Sequence, residues 1–205
     1  MSGFNQTLTS FLKEASSASP TPGGGSVAAV AAALGASMGS MVANLTTGEK
    51  FKEVADQMVH VAEEMEAAIS EFEQIFVKDI EAFAEYMQAL SLPKATEEEK
   101  SLRSTALRKA ARQAADVPFR LMKLGHGLMA ALDRIAAKAN RNVLSDLGIA
   151  AIMVDAAVQS AWLTVKINLP AVKEEETVRR YQEEGSRLLQ EIADWKGSIL
   201  QQQAE

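Results

Sequence analysis

Apolar residues recur every three or four positions over most of the chain, which is the spacing that one face of an α-helix requires. The clearest example is a long amphipathic helix predicted from Glu49 to about Leu90. A stretch rich in Ala, Gly and Ser predicts a helix that begins at Ser26 and ends near Asn44. A second apolar helix is predicted from Leu147 to Ile167, and a charged amphipathic helix from Lys173 to Gln203. The pattern therefore predicts an all-α protein built as a bundle of long antiparallel helices.

Capping residues and prolines predict where these helices begin and end. Ser26 has a side chain suited to capping the Ala-rich helix. Thr96 and Glu99 have the spacing of a capping box for the helix that follows them. Pro118 is predicted to kink that helix or to divide it in two, because proline lacks the N–H group that a helix interior uses.

Length and composition narrow the class of protein. The 205 residues fit one domain, residues 1–205, which is large enough to bury a core without disulfides or a metal. The chain has no cysteine and two histidines, so we expect no metal site and no oxidising compartment. Its net charge of −6 and its 5% of aromatic residues argue against a nucleic-acid partner. We expect a cytoplasmic protein.

One uncharged stretch, from Ala15 to Gly48, is long enough to span a bilayer. Its prolines, its glycines and its lack of aromatic and basic flanks favour a helix buried within a bundle instead. Gly35 and Gly39 lie one turn apart in it and predict a close crossing with another helix, within the subunit or at a dimer interface. The N-terminus has no pattern of a signal peptide. We expect no membrane partner.

The first candidate binding site is the turn Ser19-Pro-Thr-Pro-Gly-Gly-Gly-Ser26, just before the Ala-rich helix. Its prolines hold the approach extended, and its glycines leave backbone N–H groups unshielded at the positive end of a helix. Such a turn can receive a carboxylate or a carbonyl oxygen. The alternative is that the glycines only permit close packing.

The second candidate is Asp79, which falls on the apolar face of its helix between Phe76 and Phe83. A carboxylate in an apolar setting requires a partner, a cationic ligand or a proton. The alternative is a structural carboxylate that is bonded to another helix. The apolar positions of this face are Met65, Ile69, Phe72, Phe76, Phe83 and Met87.

A third polar group flanks the second apolar helix. Asn140, Ser145 and Asp146 precede that helix, and Asn168 follows it. Ser145 or Asp146 can equally be explained as a cap of the helix, because both residue types are good N-caps.

Taken together, these segments resemble the cyclodeaminase/cyclohydrolase family. This family includes the cyclodeaminase half of formiminotransferase-cyclodeaminase and the methenyltetrahydrofolate cyclohydrolases of bacteria. The resemblance covers about Phe4 to Pro170, and one departure from it is Ala139, where a glycine usually precedes the asparagine. The segments that carry it are Ser19–Ser26, Met41–Thr46, Asp79–Phe83, Leu92–Lys94, Arg103, Val117–Pro118, Asn140, Ser145–Asp146 and Ile167–Leu169.

The resemblance implies an all-helical homodimer that acts on a tetrahydrofolate derivative and needs no cofactor beyond that substrate. A cyclohydrolase adds water to the carbon that bridges N5 and N10 of methenyltetrahydrofolate. A cyclodeaminase closes N10 onto a formimino carbon and expels ammonia. Asp79 and Asp146 are the catalytic candidates for these steps. The candidate substrate-binding residues are Pro22, Gly23, Gly24, Gly25, Ser26, Asn140, Ser145 and Asn168.

Two alternatives to a cyclohydrolase remain at this point. Because the chain carries no transferase domain, we favour the cyclohydrolase over the cyclodeaminase. The alternative from another class is a non-catalytic helical protein that binds a partner through its C-terminal helix. A scaffold of that kind would have no need for Asp79 on an apolar face or for a folate site.

Overall fold

The computed structural model describes residues 3–202, which form α-helices joined by short turns, with no β-strand among them. The all-α prediction is therefore confirmed; the predicted helix end at Gln203 lies outside the described residues. Within residues 3–202, short 3-10 helices span Glu49–Val54, Arg141–Val143 and Leu169–Ala171. The α-helices are α1 (Leu8–Ala15), α2 (Gly24–Leu45), α3 (Ala55–Ser91), α4 (Glu97–Ala136), α5 (Leu144–Asn168) and α6 (Glu175–Gln201).

Helix α2 packs against α3 and α5. Helix α4 packs against α3 and α5, and α6 covers α4 and α5. Helices α2 and α5 run antiparallel, because Gly24 faces Thr164 whereas Gly35 faces Ala150 and Val154. The largest fully buried side chains include Tyr181, Phe72, Phe76, Met65, Leu121, Met122, Met129 and Leu132.

The small residues of α2 permit the close packing that the sequence predicted. A Cβ atom at Gly35 would lie 2.8 Å from Val154 Cγ2 and 3.1 Å from the carbonyl oxygen of Ala150, both in α5. A Cβ atom at Gly39 would lie 2.9 Å from Leu132 Cδ2 and 3.0 Å from Met65 Sδ. The close crossings are confirmed, and they lie inside the subunit rather than at a dimer interface.

Several helices begin at residues other than those predicted. Helix α2 begins at Gly24 with Gly23 at the N-cap and no side-chain cap, so Ser26 lies inside the first turn. Helix α4 continues through Pro118, so the proline does not divide it in two. The predicted capping box of Thr96 and Glu99 is present. Helix α5 has Val143 at its N-cap, which places Ser145 and Asp146 in its first turn rather than at the cap. The segment before α3 is 3-10 helix.

Helices α2 and α5 also share an apolar surface, which we call the α2–α5 face. Gly24–Leu45 and Arg141–Ala171 are each long and apolar enough to cross a membrane. In the most apolar 18-residue stretch of each, however, 61% and 50%, respectively, is buried inside the subunit. The exposed Lys166 of α5 lies at the edge of this face, on the side of α6, whereas the outward positions that define the face follow helical spacing and carry no charge. They are Val27, Ala31, Leu34, Met38, Met41 and Leu45 on α2, and Ile149, Ile152, Ala156, Leu163 and Ile167 on α5.

Candidate functional site

A cavity of about 260 Å³ lies where the beginning of α2, the second half of α3 and the end of α5 meet. We call it the candidate cavity. It brings the glycine turn and Asp79 together from segments more than fifty residues apart in sequence. Its lining residues are Pro20, Thr21, Gly23, Gly24, Gly25, Asp79, Ala82, Phe83, Tyr86, Ala114, Thr164, Ile167 and Asn168.

The carboxylate of Asp79 lies directly against the first turn of α2. The buried Ser26 hydroxyl donates a hydrogen bond of 2.9 Å to Asp79 Oδ2. A Cβ atom at Gly25 would lie only 2.0 Å from Asp79 Oδ1, so the carboxylate occupies the space that a side chain would need. The unshielded beginning of α2 thus receives a carboxylate of the chain itself, which its positive end stabilises.

The environment of Asp79 alters its proton affinity in two opposing directions. Burial in the apolar wall raises the pKa of Asp79 above its ordinary value, because the charged form loses hydration. Hydrogen bonds from the hydroxyl and the backbone N–H of Ser26 lower it, but by less. The net effect is a raised pKa, which brings the carboxyl group closer to the range in which it exchanges protons near neutrality.

The other side of the candidate cavity is formed by the end of α5. Asn168 Nδ2 donates to the carbonyl oxygens of Thr164 at 2.8 Å and of Ala114 at 3.2 Å. These bonds fix the amide and join α5 to α4. Asn168 was predicted from the sequence, whereas Thr164 was not, although it lies one helical turn earlier on the same face.

Two aromatic residues of the candidate cavity were not among the predicted site residues, although the sequence placed Phe83 on the face that carries Asp79. Phe83 and Tyr86 follow Asp79 by four and seven positions on α3, so all three share one face of the helix. Extending the helical spacing from Asp79 would have found them. Of the predicted binding residues in the glycine turn, Gly23, Gly24 and Gly25 line the cavity, whereas Pro22 and Ser26 are buried and do not line it.

The remaining predicted site residues lie at the opposite end of α2. The backbone N–H of Asn140 donates to Thr46 Oγ1 at 3.0 Å, and its side-chain Nδ2 donates to the carbonyl oxygen of Leu45 at 2.9 Å. A helix of 22 residues such as α2 is about 33 Å long. The structure therefore does not bring Asn140, Ser145 and Asp146 to Asp79 within one chain, contrary to the expectation of a single site.

The departure at Ala139 does not strain this loop. No residue other than glycine has a positive φ in the described part of the chain, so the position before Asn140 suits an alanine. Asn140 itself has φ −61° and ψ 121°, and its side chain accepts a hydrogen bond from the Asn142 N–H at 3.2 Å.

Other buried or paired charges have structural partners. Asp155, which is 6% exposed, accepts hydrogen bonds from Lys196 at 2.5 Å and from Gln159 at 2.9 Å. His126 lies 2.5 Å from Glu191 on α6 and contacts the Trp195 ring. Between residues 3 and 202, no three His, Cys, Asp or Glu side chains are grouped so that they could hold a metal ion.

Comparison with known proteins supports the resemblance seen in the sequence. The family described as formiminotransferase-cyclodeaminase matches residues 7–187 and so extends past Pro170 into α6. The methenyltetrahydrofolate cyclohydrolase of Methylorubrum extorquens is 38% identical over 165 residues, which cover 80% of this chain and 79% of that protein. The formimidoyltransferase-cyclodeaminase of Mus musculus is 37% identical over 195 residues, which cover 95% of this chain.

This chain spans only 36% of the length of that mouse relative. A solved structure from Thermotoga maritima, described as a formiminotetrahydrofolate cyclodeaminase, superposes with a TM-score of 0.80 at 30% identity. The superposition covers 97% of this chain and 94% of that one. By sequence over most of its length, and by fold, this chain belongs to the formiminotransferase-cyclodeaminase family.

Proposed function

We propose that this protein is a methenyltetrahydrofolate cyclohydrolase. The observation that supports this most directly is the Asp79 carboxylate, held with a raised pKa in a cavity with apolar and aromatic walls. The similarity to the Methylorubrum extorquens cyclohydrolase over most of both lengths supports the same reaction. A protein that served only as a scaffold would have no need for such a group.

The reaction converts a cationic substrate into a neutral amide. Water adds to the carbon between N5 and N10 of 5,10-methenyltetrahydrofolate and loses one proton. The bond between this carbon and N5 then breaks, and its electron pair stays on N5, which takes up a proton. The added hydroxyl loses its remaining proton as it becomes the carbonyl oxygen. The carbon remains on N10 as a formyl group, and one proton is released overall.

Asp79 has the properties that each stage of this reaction requires. As a carboxylate it stabilises the cationic carbon and accepts a proton from the attacking water. As a carboxylic acid it returns the proton to N5. Its hydrogen bond from Ser26 holds one oxygen in place during both steps. Asn168 and the glycine turn would orient the pterin or the water, and no cofactor beyond the substrate takes part.

The second candidate is formiminotetrahydrofolate cyclodeaminase activity. The specific observation in its favour is the likeness to the Thermotoga maritima structure, which is described as a formiminotetrahydrofolate cyclodeaminase. The superposition with this chain covers 94% of that protein. The same carboxylate could act there, because N10 attack on the formimino carbon also forms a tetrahedral centre and requires protonation of departing ammonia.

We further propose that the protein is a cytoplasmic homodimer whose subunits meet through the α2–α5 face. The outward positions that define this face are uncharged and span two helices, and at one end of it Ile167 is 79% exposed. Exposed apolar surfaces of this kind are typical of sites covered by another protein or a membrane. A second copy suits it because a dimer with two-fold symmetry pairs a face with itself.

One assay distinguishes the two activities. Loss of methenyltetrahydrofolate absorbance should be measured beside release of ammonia from formiminotetrahydrofolate, on the same purified protein. We expect faster hydrolysis of methenyltetrahydrofolate than its spontaneous rate, with little ammonia release. Ammonia release as the faster reaction would establish the cyclodeaminase instead, and no turnover of either substrate would contradict both proposals.

A further inference from the structure

Pro118 lies inside α4 and leaves one backbone carbonyl group of that helix without its usual donor. In an α-helix the N–H of each residue donates to the carbonyl oxygen four positions earlier, which for position 118 is that of Ala114. Proline has no N–H, and its ring crowds the carbonyl group at that earlier position. The carbonyl oxygen of Ala114, a residue that lines the candidate cavity, is therefore available to a donor from outside α4.

That donor comes from the end of α5. Asn168 Nδ2 lies 3.2 Å from the carbonyl oxygen of Ala114, which is 54 positions away in sequence. It also lies 2.8 Å from the carbonyl oxygen of Thr164 in its own helix. Both neighbours are acceptors, so the nitrogen of the Asn168 amide must face them and its oxygen must face away. The two hydrogens of the amide group are thereby used, and the orientation of the side chain is fixed.

This orientation leaves the amide oxygen as the free polar atom of the Asn168 side chain. Within residues 3–202, Oδ1 accepts no hydrogen bond, and no polar side-chain atom there is both buried and unpaired, so Oδ1 reaches solvent. Asn168 lines the candidate cavity opposite the Asp79 carboxylate. Thr164 lines it too, but its hydroxyl donates to the carbonyl oxygen of Ser160 at 3.2 Å. These side chains therefore offer acceptors to the cavity, and a ligand that fits them must supply donors.

From this geometry we propose that Pro118 is a positioning residue. By leaving the Ala114 carbonyl oxygen to Asn168, it fixes Asn168 Oδ1 as the acceptor for an N–H group of the substrate's reduced pterin ring. The inference rests on the proposed function for the identity of the ligand, because a reduced pterin ring carries several N–H donors. Pro118 itself is buried and does not line the candidate cavity, so it acts through the other two residues and not by contact with the substrate.

The variant Pro118→Ala restores an N–H group that competes with Asn168 for the Ala114 carbonyl oxygen. Helix α4 should remain intact in circular dichroism spectra, because alanine is the better helix former. The Asn168 side-chain amide should exchange its hydrogens with water about 10-fold faster, since it has lost a hydrogen bond. Its signals in ¹⁵N–¹H spectra are identified by their absence from Asn168→Ala. The matched control is Val117→Ala, which removes as many carbon atoms from the preceding, partly buried side chain but adds no N–H group.

Binding is measured with 5-formyltetrahydrofolate, which carries the same reduced pterin ring, and turnover with methenyltetrahydrofolate. Asn168→Ala should raise Kd and KM by about 10-fold, the effect of one lost hydrogen bond, and leave kcat within about 2-fold. Pro118→Ala should raise Kd and KM in the same way, whereas Val117→Ala should leave both within about 2-fold of those of the natural protein. The double variant Pro118→Ala/Asn168→Ala should bind no more weakly than Asn168→Ala, because the proline acts only through the amide.

The outcomes separate this inference from the proposed function. If 5-formyltetrahydrofolate binds with these dependences but no turnover is seen, the proposed reaction is wrong and the inference stands. An Asn168 amide that exchanges as slowly in Pro118→Ala as in the natural protein overturns it, because the Ala114 carbonyl oxygen would then accept both bonds. Additive effects of the two substitutions on Kd, or an equal effect of Val117→Ala, overturn it as well. So does a fall in kcat with unchanged KM in Asn168→Ala, since the amide would then serve the attacking water and not the pterin ring.

Discussion

Replacing Gly25 with alanine tests whether the position of the Asp79 carboxylate governs turnover. The added Cβ atom would lie 2.0 Å from Asp79 Oδ1, whereas ordinary contacts begin near 3.4 Å. The carboxylate must therefore move by about 1.4 Å, and a displacement of 1 Å can lower a rate about 100-fold. We expect Gly25→Ala to lower kcat by about 100-fold.

The fold should tolerate this change. Alanine is favoured over glycine inside a helix by about 1 kcal/mol, which offsets part of the strain. Turnover of methenyltetrahydrofolate and thermal unfolding should be measured on one preparation. A variant that retains both its Tm and its helical circular dichroism, but loses turnover, would support the assignment.

The matched control is Gly24→Ala, one residue earlier in the same turn. Its Cβ atom would lie 3.8 Å from Thr164 Oγ1, which is an ordinary contact. Because this change leaves the Asp79 carboxylate in place, any effect of the added methyl group on substrate binding should appear in KM, and kcat should stay within a few-fold of that of the natural enzyme. The reasoning is refuted if Gly25→Ala is as active as Gly24→Ala, because the carboxylate would then have moved without consequence.

Three further changes give distinct outcomes. Asp79→Asn should lower kcat by about 10²–10⁴-fold, because the amide cannot accept a proton; normal turnover would exclude Asp79 as the base. Burial raises the pKa of Asp79, so the stability that this group contributes is present below the unfolded value of 3.8 and is lost as pH rises through the folded pKa. Denaturant titrations should therefore show the free energy of unfolding of the natural protein rising relative to that of Asp79→Asn as pH falls toward about 4. Activity should decline over the same window, as a pH–rate profile would record. Gly35→Ala should lower the free energy of unfolding by about 1–3 kcal/mol, because backbone atoms of α5 lie 3.1 Å from the new Cβ. Gly127→Ala has open space around its new Cβ and should raise the free energy of unfolding by about 0.5–1 kcal/mol. Equal Tm values for these two variants would contradict the close crossing.

Helical periodicity was sufficient to predict most of the fold and one half of the candidate cavity. Asp79 was found because a carboxylate interrupts an apolar face, and that signal is local to one helix. The predicted burial failed at Met87, which is 48% exposed, because the last turns of α3 extend beyond the core. Periodicity defines a face, but it does not show where along the helix the neighbouring helices end.

The role of Ser26 could not be read from its own segment. Serine just before an apolar helix is a common N-cap, and nothing local distinguishes a cap from the third helical residue. Its actual partner, Asp79, is 53 positions away in sequence. The helix begins two residues earlier than predicted, at Gly24, and the Asp79 carboxylate occupies the space beside Gly25. Such tertiary pairing is available only from the folded structure.

The separation of Asp146 from Asp79 leads to the last prediction, which concerns the proposed homodimer. Helices α2 and α5 are antiparallel, so one end of the α2–α5 face carries Ile167 at the rim of the candidate cavity and the other carries Asp146. If the two-fold axis lies in the plane of this face and runs perpendicular to the helices, each subunit places its Asp146 end beside the candidate cavity of the other. Asp79 and Asp146 would then share a site that only the dimer completes.

Mixing two inactive variants tests this arrangement. Asp79→Asn and Asp146→Asn subunits should each form dimers with little activity. After unfolding and refolding together, half of the dimers are mixed, and each mixed dimer has one site with both substitutions and one site with neither. Activity should therefore return to about one quarter of that of the natural enzyme. If Asp79 and Asp146 served one site within a single chain, every site in the mixture would carry a substitution and no activity would return. A fully active Asp146→Asn protein would remove Asp146 from the reaction altogether, since the loss of a base that acts in catalysis costs at least about 100-fold.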